Sequence, residues 1–203
     1  MRRIAIVVTL VVSGTLAALP ALAQGALTFG VMAGAALPTG TFGSGYNSGF
    51  AVGGDADYWL APSFALGMDV LWSQHDADVT NTTGQATVTL VPVGGHLKVG
   101  FGSEDAMVTP WVDVGAGAYN INARENDLFG STETRDTRFG MNVGAGIDFR
   151  TTPTFSIGAA GAFHVIPDAL QSDTGTNAAS YFTLGLRVSV TTAGARTIGG
   201  RPY

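Results

Sequence analysis

The sequence predicts an all-β protein, an eight-stranded antiparallel up-and-down transmembrane β-barrel. Three observations lead to this prediction. Large apolar residues recur at every second position, which is the period of a β-strand. Segments with this pattern occur eight times, an even number that a closed antiparallel barrel can use. Only 12% of the 203 residues are charged while 46% are hydrophobic, whereas soluble domains usually carry about 25% charged residues.

The alternation is clearest in residues 64–72, which read FALGMDVLW. One face of this segment carries Asp69 and small residues, and the other carries Phe64, Leu66, Met68, Val70 and Trp72. Seven further segments repeat the scheme, with large apolar side chains on one face and glycine, alanine or polar side chains on the other. The eight predicted strands cover residues 26–36, 49–59, 64–72, 90–101, 110–120, 138–149, 155–165 and 180–190.

The connections between the predicted strands alternate in length. Long connections, rich in Thr, Asn, Asp and Gly, cover residues 37–48, 74–86, 121–136 and 166–179. Short connections cover residues 60–63, 102–109 and 150–154. Long loops at one end and tight turns at the other are typical of outer-membrane barrels. This asymmetry predicts that both chain termini lie at the short-turn, periplasmic end.

The N-terminal residues predict a cleaved signal peptide. Arg2 and Arg3 form a charged start, residues 4–12 are apolar, and Ala21 and Ala23 form an A-x-A cleavage site. The predicted segments are a signal peptide, a barrel and a short periplasmic tail, at residues 1–23, 24–190 and 191–203. After cleavage the chain has eight basic and 15 acidic residues, a net charge of −7. Such acidity argues against nucleic acid as a partner.

The large apolar face of each strand is predicted to face lipid. Aromatic residues lie near the strand ends in pairs eight residues apart, such as Phe64 and Trp72. At a rise of about 3.3 Å and a tilt near 40°, this separation is roughly 20 Å along the membrane normal, close to the spacing of two interfacial aromatic girdles. A narrow eight-stranded interior is not expected to hold the 11 Phe and three Trp. The predicted girdle residues are Phe50, Tyr58, Phe64, Trp72, Phe101, Phe139, Phe149, Phe155, Phe163 and Phe182.

The opposite face is predicted to line the lumen, and it carries charged residues. Charges that are removed from bulk water must be paired or hydrogen-bonded, and the forked donors of arginine suit this arrangement. We interpret the set as a structural ionic network that plugs the lumen. The alternative interpretation is the selectivity lining of a pore. The predicted network consists of Asp55, Asp57, Asp69, Lys98, Asp113, Arg138, Asp148 and Arg187.

Glycine-rich segments recur along the chain in a characteristic order and spacing, among them GVMAGAALPTG, VPVGGHLKVGF, VDVGAGAY and MNVGAGID. In these segments the chain resembles the outer membrane protein β-barrel domain family, the OmpA-like and OmpX-like eight-stranded porin-type barrels, over residues 24–190. The resemblance implies the outer membrane of a Gram-negative-type bacterium. The last strand resembles the assembly signal of such barrels at Thr183, Gly185 and Val188, with Val190 in place of the usual terminal aromatic. It implies the barrel-assembly machinery as a partner.

The sequence predicts no catalytic, metal or cofactor site. The best catalytic constellation is Asp69, Ser73 and His75, but alternate residues of a strand lie about 7 Å apart, beyond the reach that a Ser–His pair needs. The histidines His75, His96 and His164 fall on the third, fourth and seventh strands, so a shared metal is not expected. We therefore expect no enzyme activity, and we interpret His96 and His164 as hydrogen-bonded lumen residues.

The polar loops carry the features that could be specific. Acidic, polar loops suit exposure beside outer-membrane lipid and lipopolysaccharide and contact with an extracellular ligand. The first function hypothesis is a structural or surface-interaction protein, with the barrel as anchor and the loops as contact surface. The alternative is a small-solute channel through the outer membrane. Weaker alternatives are an outer-membrane lipid-modifying enzyme and a soluble lipocalin-like binder. The charged loop residues are His75, Asp76, Asp78, Arg124, Glu125, Asp127, Glu133, Arg135, Asp136, Asp168 and Asp173.

Overall fold

The protein is a closed eight-stranded antiparallel β-barrel in which each strand pairs with its sequence neighbours, as predicted. The structure is a computed structural model that describes residues 26–77, 85–102, 106–127, 130–172 and 175–192. The predicted signal peptide, most of the predicted tail, Asp78 and Asp173 lie outside these residues. The elements are β1 (Leu27–Thr39), α1 (Gly40–Gly43), β2 (Gly49–Ala61), β3 (Phe64–Asp76), β4 (Gln85–Gly100), β5 (Val108–Asp127), β6 (Gly130–Arg150), β7 (Phe155–Ser172) and β8 (Gly175–Thr191).

Closure of the barrel joins the first strand to the last. β1 pairs with β2 on one side and with β8 on the other, with Phe29 opposite Ala56 and Val190. A closed sheet leaves no open edge around the apolar belt, which a membrane-spanning sheet requires because lipid offers no hydrogen bonds. No helix within the described part of the chain is long and apolar enough to cross a membrane.

The two faces of the strands are oriented as the alternation predicts. Large apolar side chains are exposed on the outer face, with Leu186 at 71% and Val31 at 60% of their full accessibility. Inward neighbours such as Ala51 and Ala65 are completely buried. An outer face of this kind is an apolar surface suited to lipid rather than to water.

Two predicted loops are in fact parts of strands. Residues 121–127 and 130–136 form the outer half of the β5–β6 hairpin, which is paired out to Asp127 opposite Gly130. Residues 166–172 and 175–179 belong to the β7–β8 hairpin, which is paired out to Ser172 opposite Gly175. Their polar composition suggested loops, but polar side chains also suit a sheet that is solvated on both faces and held by its backbone hydrogen bonds.

The barrel wall divides between β6 and β7 above the belt. The outermost pair that joins these strands within the described residues is Met141 with Val165. Beyond it, β6 continues from Gly140 out to Gly130 while paired only with β5. The part of β6 from Gly130 to Gly140 therefore presents an open edge, which we call the β6 edge.

The interior was not expected to hold the three tryptophans, and for two of these residues this expectation is wrong. Trp59 and Trp111 both have the inward parity of their strands, and Trp111 is only 7% exposed. Glycines make the room. The ring of Trp59 packs beside Gly100, and a Cβ on Gly146 would overlap the Trp111 ring. Replacement of neighbouring side chains by hydrogen gives even a narrow barrel space for large rings.

Candidate functional site

An ionic cluster crosses the middle of the lumen and is centred on Arg187 of β8. Its Nη2 atom donates to Asp55 Oδ2 at 2.6 Å, and its Nη1 atom donates to Asp148 Oδ2 at 3.0 Å. Asp55 lies on β2 and Asp148 on β6, so one guanidinium joins three strands around the barrel. Arg187 is 2% exposed. The planar fork of arginine suits this use because its donors point in fixed, diverging directions.

A second branch of the cluster runs from Lys98 through Asp57 to His96. The Lys98 ammonium donates to Asp57 Oδ2 at 2.5 Å. His96 lies between two carboxylates, with Nε2 2.6 Å from Asp57 and Nδ1 3.0 Å from Asp69. Because an ionised carboxylate only accepts hydrogen bonds, this arrangement suits an imidazolium that donates from both nitrogens. Asp57 is 1% exposed and is fully engaged by the two cations.

Trp111 lies beside both lumen cations. Lys98 Nζ is 4.7 Å from the ring centroid and Arg187 Cζ is 5.7 Å from it. Cations over an aromatic face gain attraction from the ring quadrupole, and the gain is larger in a desolvated setting. The indole therefore gives the two cations an apolar and electrostatically favourable neighbour where water is excluded. The alternation of β5 indicates the inward position of this residue, but its role depends on partners from β4 and β8.

The structure brings together six of the eight predicted network residues, namely Asp55, Asp57, Asp69, Lys98, Asp148 and Arg187. Asp113 lines the same cavity, and its Oδ1 atom is buried without a hydrogen-bond partner among the described residues. The prediction that Arg138 belongs to the lumen network is wrong, because Arg138 pairs with Asp136 at 2.6 Å and is well exposed. Arg138 lies beyond Met141, where β6 no longer pairs with β7. Its position in the alternation of β6 is inward, but the barrel is not closed at this level.

Above the ionic cluster lies a small cavity closed by an aromatic layer. The cavity has a volume of about 90 Å³ and reaches from Asp69 and Asn142 to His164. His164 Nδ1 is 3.0 Å from the Tyr119 hydroxyl, and its ring stacks on Tyr181 with centroids 4.5 Å apart. These rings, from β5, β7 and β8, form a second layer of packed side chains in the lumen.

The short helix α1 closes the extracellular mouth. It carries Phe42, which is 3% exposed and packs edge-on against His75 at 5.3 Å and against Tyr181 at 6.5 Å. Gly40 begins the helix with φ +58°, a left-handed conformation that glycine adopts at little cost. The sequence contained no strong signal for this plug, because the long connection 37–48 reads simply as a polar loop with one phenylalanine.

The catalytic constellation does not assemble. Asp69 contacts His96 rather than His75, and the His75 Nδ1 atom instead lies 3.2 Å from the Asn47 carbonyl oxygen. Ser73 and His75 are both completely buried under the cap. No group of three potential ligands suitable for a metal ion occurs among the residues that the structure describes.

The predicted girdle residues lie on the outer face at two levels. Phe163 and Phe182 are directly opposed in the β7–β8 pair, with ring centroids 4.6 Å apart. Phe50, Trp72 and Phe139 belong to the same long-loop end. The residues at the short-turn end are Tyr58, Phe64, Phe101, Phe149 and Phe155.

Beyond Phe139 the β5–β6 hairpin carries a ladder of exposed ion pairs. Glu133 accepts hydrogen bonds from Arg135 at 2.7 Å and from Asn122 at 2.8 Å, and these bonds hold the pKa of Glu133 below its ordinary value. The hydrogen bond from Arg138 does the same to the pKa of Asp136. Both carboxylates therefore stay ionised into the mildly acidic range.

Known proteins resemble this chain in fold. The Neisserial surface protein A (NspA) structure matches with 20% identity and a TM-score of 0.55, over 82% of this chain and 99% of that one. Ail of Yersinia pestis, in complex with the heparin analogue sucrose octasulfate, matches with 12% identity and a TM-score of 0.56, over 83% and 99%. OprG of Pseudomonas aeruginosa matches with 14% identity and a TM-score of 0.55, over 84% and 98%. No curated protein sequence matches significantly.

The family model for the outer membrane protein beta-barrel domain matches residues 8–191, which is most of the chain. This match agrees with the closed eight-stranded barrel and its apolar outer belt. The chain therefore belongs to the outer membrane protein β-barrel domain family and is an outer-membrane protein of the Gram-negative type.

Proposed function

We propose that this protein is a plugged barrel that anchors an extracellular contact surface, and that the contact surface is the projecting β5–β6 hairpin. The observation that carries the proposal is the combination of a filled lumen with the open β6 edge. A conduit needs a continuous path, whereas an anchor needs only a stable wall and a presented surface.

Three layers of side chains support the plugged interpretation. The Arg187 cluster spans the middle of the lumen, the rings of His164 and Tyr181 lie above it, and Phe42 fills the mouth. An eight-stranded barrel is just wide enough to be filled by its own side chains. The small-solute channel is therefore the less favoured function, because a permeating solute would have to displace paired charges and packed rings.

The β6 edge supports the contact role. From Gly130 to Gly140 one side of β6 has no neighbouring strand within the described residues, and its backbone groups are available to an added strand. Proteins normally protect such edges with charge or twist, and an extended peptide can bind by completing the sheet. The exposed charges of Glu133, Arg135 and Asp136 reduce unspecific pairing of this edge with other strands. They can also select a partner whose charges are complementary.

The hairpin emerges beside the lipopolysaccharide layer, and its outward face carries Arg124, Arg135 and Asn122. We propose that these side chains contact lipopolysaccharide from the side, while the β6 edge faces partners outside the cell. The barrel-assembly machinery and an extracellular ligand complete the proposed set of partners. The aromatic residues at the two ends of the belt are proposed to act as interfacial girdles.

Truncation of the hairpin tests the contact role. Ile121 and Asp136 are directly opposed, so an Asn-Gly turn in place of residues 122–135 would close a shorter hairpin in the same register. Vesicles carrying the full chain are expected to adhere to at least one of two immobilised probes: heparin, whose analogue is bound in the Ail structure, or an extended peptide that could add a strand to the β6 edge. Truncation should reduce this adhesion at least about tenfold. Thr152→Ala, in a turn at the opposite end, serves as the control.

Two results would contradict the proposal. One is an absence of adhesion by the full chain to every probe. The other is adhesion that survives truncation unchanged, which would assign the contact to a different surface. A heat-dependent shift in gel mobility, compared among all variants, establishes that each barrel is folded.

A further inference from the structure

The short-turn end of the barrel contains a polar vestibule that lies outside the proposed contact surface and shares Asp148 with the ionic cluster. It has a volume of about 120 Å³ and lies below Arg187, on the side of the two termini. In an outer-membrane barrel this end faces the periplasm. The vestibule is lined by residues of seven strands and by the turn residues Pro62, Gly102 and Pro153.

The chemistry of the lining is a ring of hydroxyl groups. Thr28 and Thr191 are directly opposed in the β1–β8 pair and share a hydrogen bond of 2.9 Å. Ser156 and Ser189 are directly opposed in the neighbouring β7–β8 pair. Thr109 on β5 completes the ring on the far side. Hydroxyl groups both donate and accept, so this wall can bind a ligand that itself carries several hydroxyl groups.

An aromatic ring lines the same cavity. Trp59 lines the vestibule, and its indole nitrogen donates to the Thr28 hydroxyl at 2.9 Å, which fixes the orientation of the ring. The ring also packs beside Gly100, where no side chain competes for the space. The face of an indole carries negative quadrupole charge and attracts the weakly positive C–H bonds of a saturated ring.

The charges in the vestibule favour a neutral ligand. Asp148 and Arg150 line its wall and have opposite signs. The Asp148 Oδ2 atom accepts from Arg187, while its Oδ1 atom is buried without a hydrogen-bond partner among the described residues. A buried carboxylate oxygen without a partner is costly, and a ligand hydroxyl that donates to it would remove that cost.

We propose that this vestibule binds one neutral sugar ring from the periplasmic side, with the ring against Trp59 and its hydroxyl groups toward Thr28, Ser156, Ser189 and Asp148. A fixed aromatic face, a ring of hydroxyl groups and one carboxylate acceptor are the groups that recognise a carbohydrate. The sugar can come from a free periplasmic saccharide or from the end of a cell-wall glycan.

Tryptophan fluorescence tests the proposal directly. A W72F/W111F variant of the full chain, refolded in a detergent without a sugar headgroup, reports on Trp59 alone. Titration with N-acetylglucosamine should give a saturable change in emission with a Kd on the order of 1 mM. Ser189→Ala, which removes a lining hydroxyl and adds no other atom, should weaken binding roughly fivefold to tenfold. Inorganic phosphate should give no response.

The outcomes separate clearly. A tighter Kd for soluble glycan fragments than for the monosaccharide would assign the site to the cell wall, and equal values would assign it to free saccharides; both support the proposal. No saturable response to any sugar up to about 100 mM, a range in which even very weak binding is visible, overturns it. An equal response in a W59F/W72F variant, in which Trp111 is the remaining tryptophan, also overturns it. Because the hairpin lies at the other end of the barrel, its adhesion does not depend on this result.

Discussion

Arg187 and Asp55 are 132 residues apart in the chain, yet the guanidinium of one donates to the carboxylate of the other at 2.6 Å. They meet because β1 stands between β2 and β8 and closes the barrel. The side chains of both face inward, and water is largely excluded from them. A single contact therefore reports that the first and last strands have joined in the correct register.

Removal of the Arg187 guanidinium should destabilise the barrel strongly. Arg187→Met leaves Asp55 and Asp148 without their main cation, and an uncompensated buried charge of this kind costs about 3–5 kcal/mol. Urea unfolding of the protein in lipid vesicles measures the free-energy difference. Arg138→Met is the matched control, because its exposed pair with Asp136 is screened by water and should contribute little to the stability. Equal effects of the two substitutions on the free energy of unfolding would show that the lumen cluster stabilises the barrel no more than an exposed ion pair does.

The folded protein should conduct no ions. Arg187 and Lys98 cross the middle of the lumen, and Phe42 fills its mouth. Planar bilayers that contain the refolded full chain should show insertion without stepwise conductance. Discrete steps that change with Arg187→Ala would instead make the lumen a pathway, and the small-solute channel would become the leading function.

The plug helix should open without loss of the barrel when Phe42 is removed. In Phe42→Ala, α1 loses its contacts with His75 and Tyr181, while the strand pairs remain. Hydrogen exchange of backbone amides in residues 40–47 should accelerate by roughly tenfold or more, since local opening then costs less. Phe50→Ala, an outward residue on β2, should leave this segment protected. Exchange that rises equally in both variants would indicate general loosening rather than release of a plug.

Two nearby glycines should differ sharply in their tolerance of a methyl group. Gly117 faces the lumen directly opposite Gly94, and an added Cβ would lie 2.5 Å from the Gly94 Cα. Gly95 faces outward, and its nearest neighbour would be at 3.6 Å. Gly117→Ala should therefore slow or prevent refolding, whereas Gly95→Ala should be neutral or stabilising by about 0.5–1 kcal/mol. Refolding yield and urea midpoint measure both effects.

The ion pairs of the hairpin should respond to acid. Arg135 and Asn122 hold the pKa of Glu133 below its ordinary value, so pairing stabilises the hairpin above the ordinary carboxyl range and is lost as pH falls through the lowered pKa. Arg135→Gln should raise the pKa of Glu133 toward its ordinary value. Carboxyl NMR titration measures this shift. A Thr134→Gln variant, next to Glu133 but on the opposite face of β6, should leave the pKa of Glu133 unchanged.

The strand number and the two faces of the wall could be predicted because they depend on local periodicity. Asp55, Asp57 and Lys98 face inward as a consequence of alternation alone, as do the glycines that oppose one another. Trp59 and Trp111 show the limit of this reasoning. The alternation placed both rings inward, but the expected width of the interior argued against this. Only the position of Gly100, two strands from Trp59, and of Gly146, directly opposite Trp111 on the neighbouring strand, shows where the rings fit.

The sequence by itself determined which residues face lipid and which face the lumen, because a strand alternates strictly and needs no information from distant residues. The tertiary structure alone decided which inward charges meet. Arg138 and Arg187 have the same chemistry and the same inward parity, yet only Arg187 has strands on both sides at its level of the barrel. Register around the closed sheet sets that level. It depends on all eight pairings together, and no single segment of the sequence contains it.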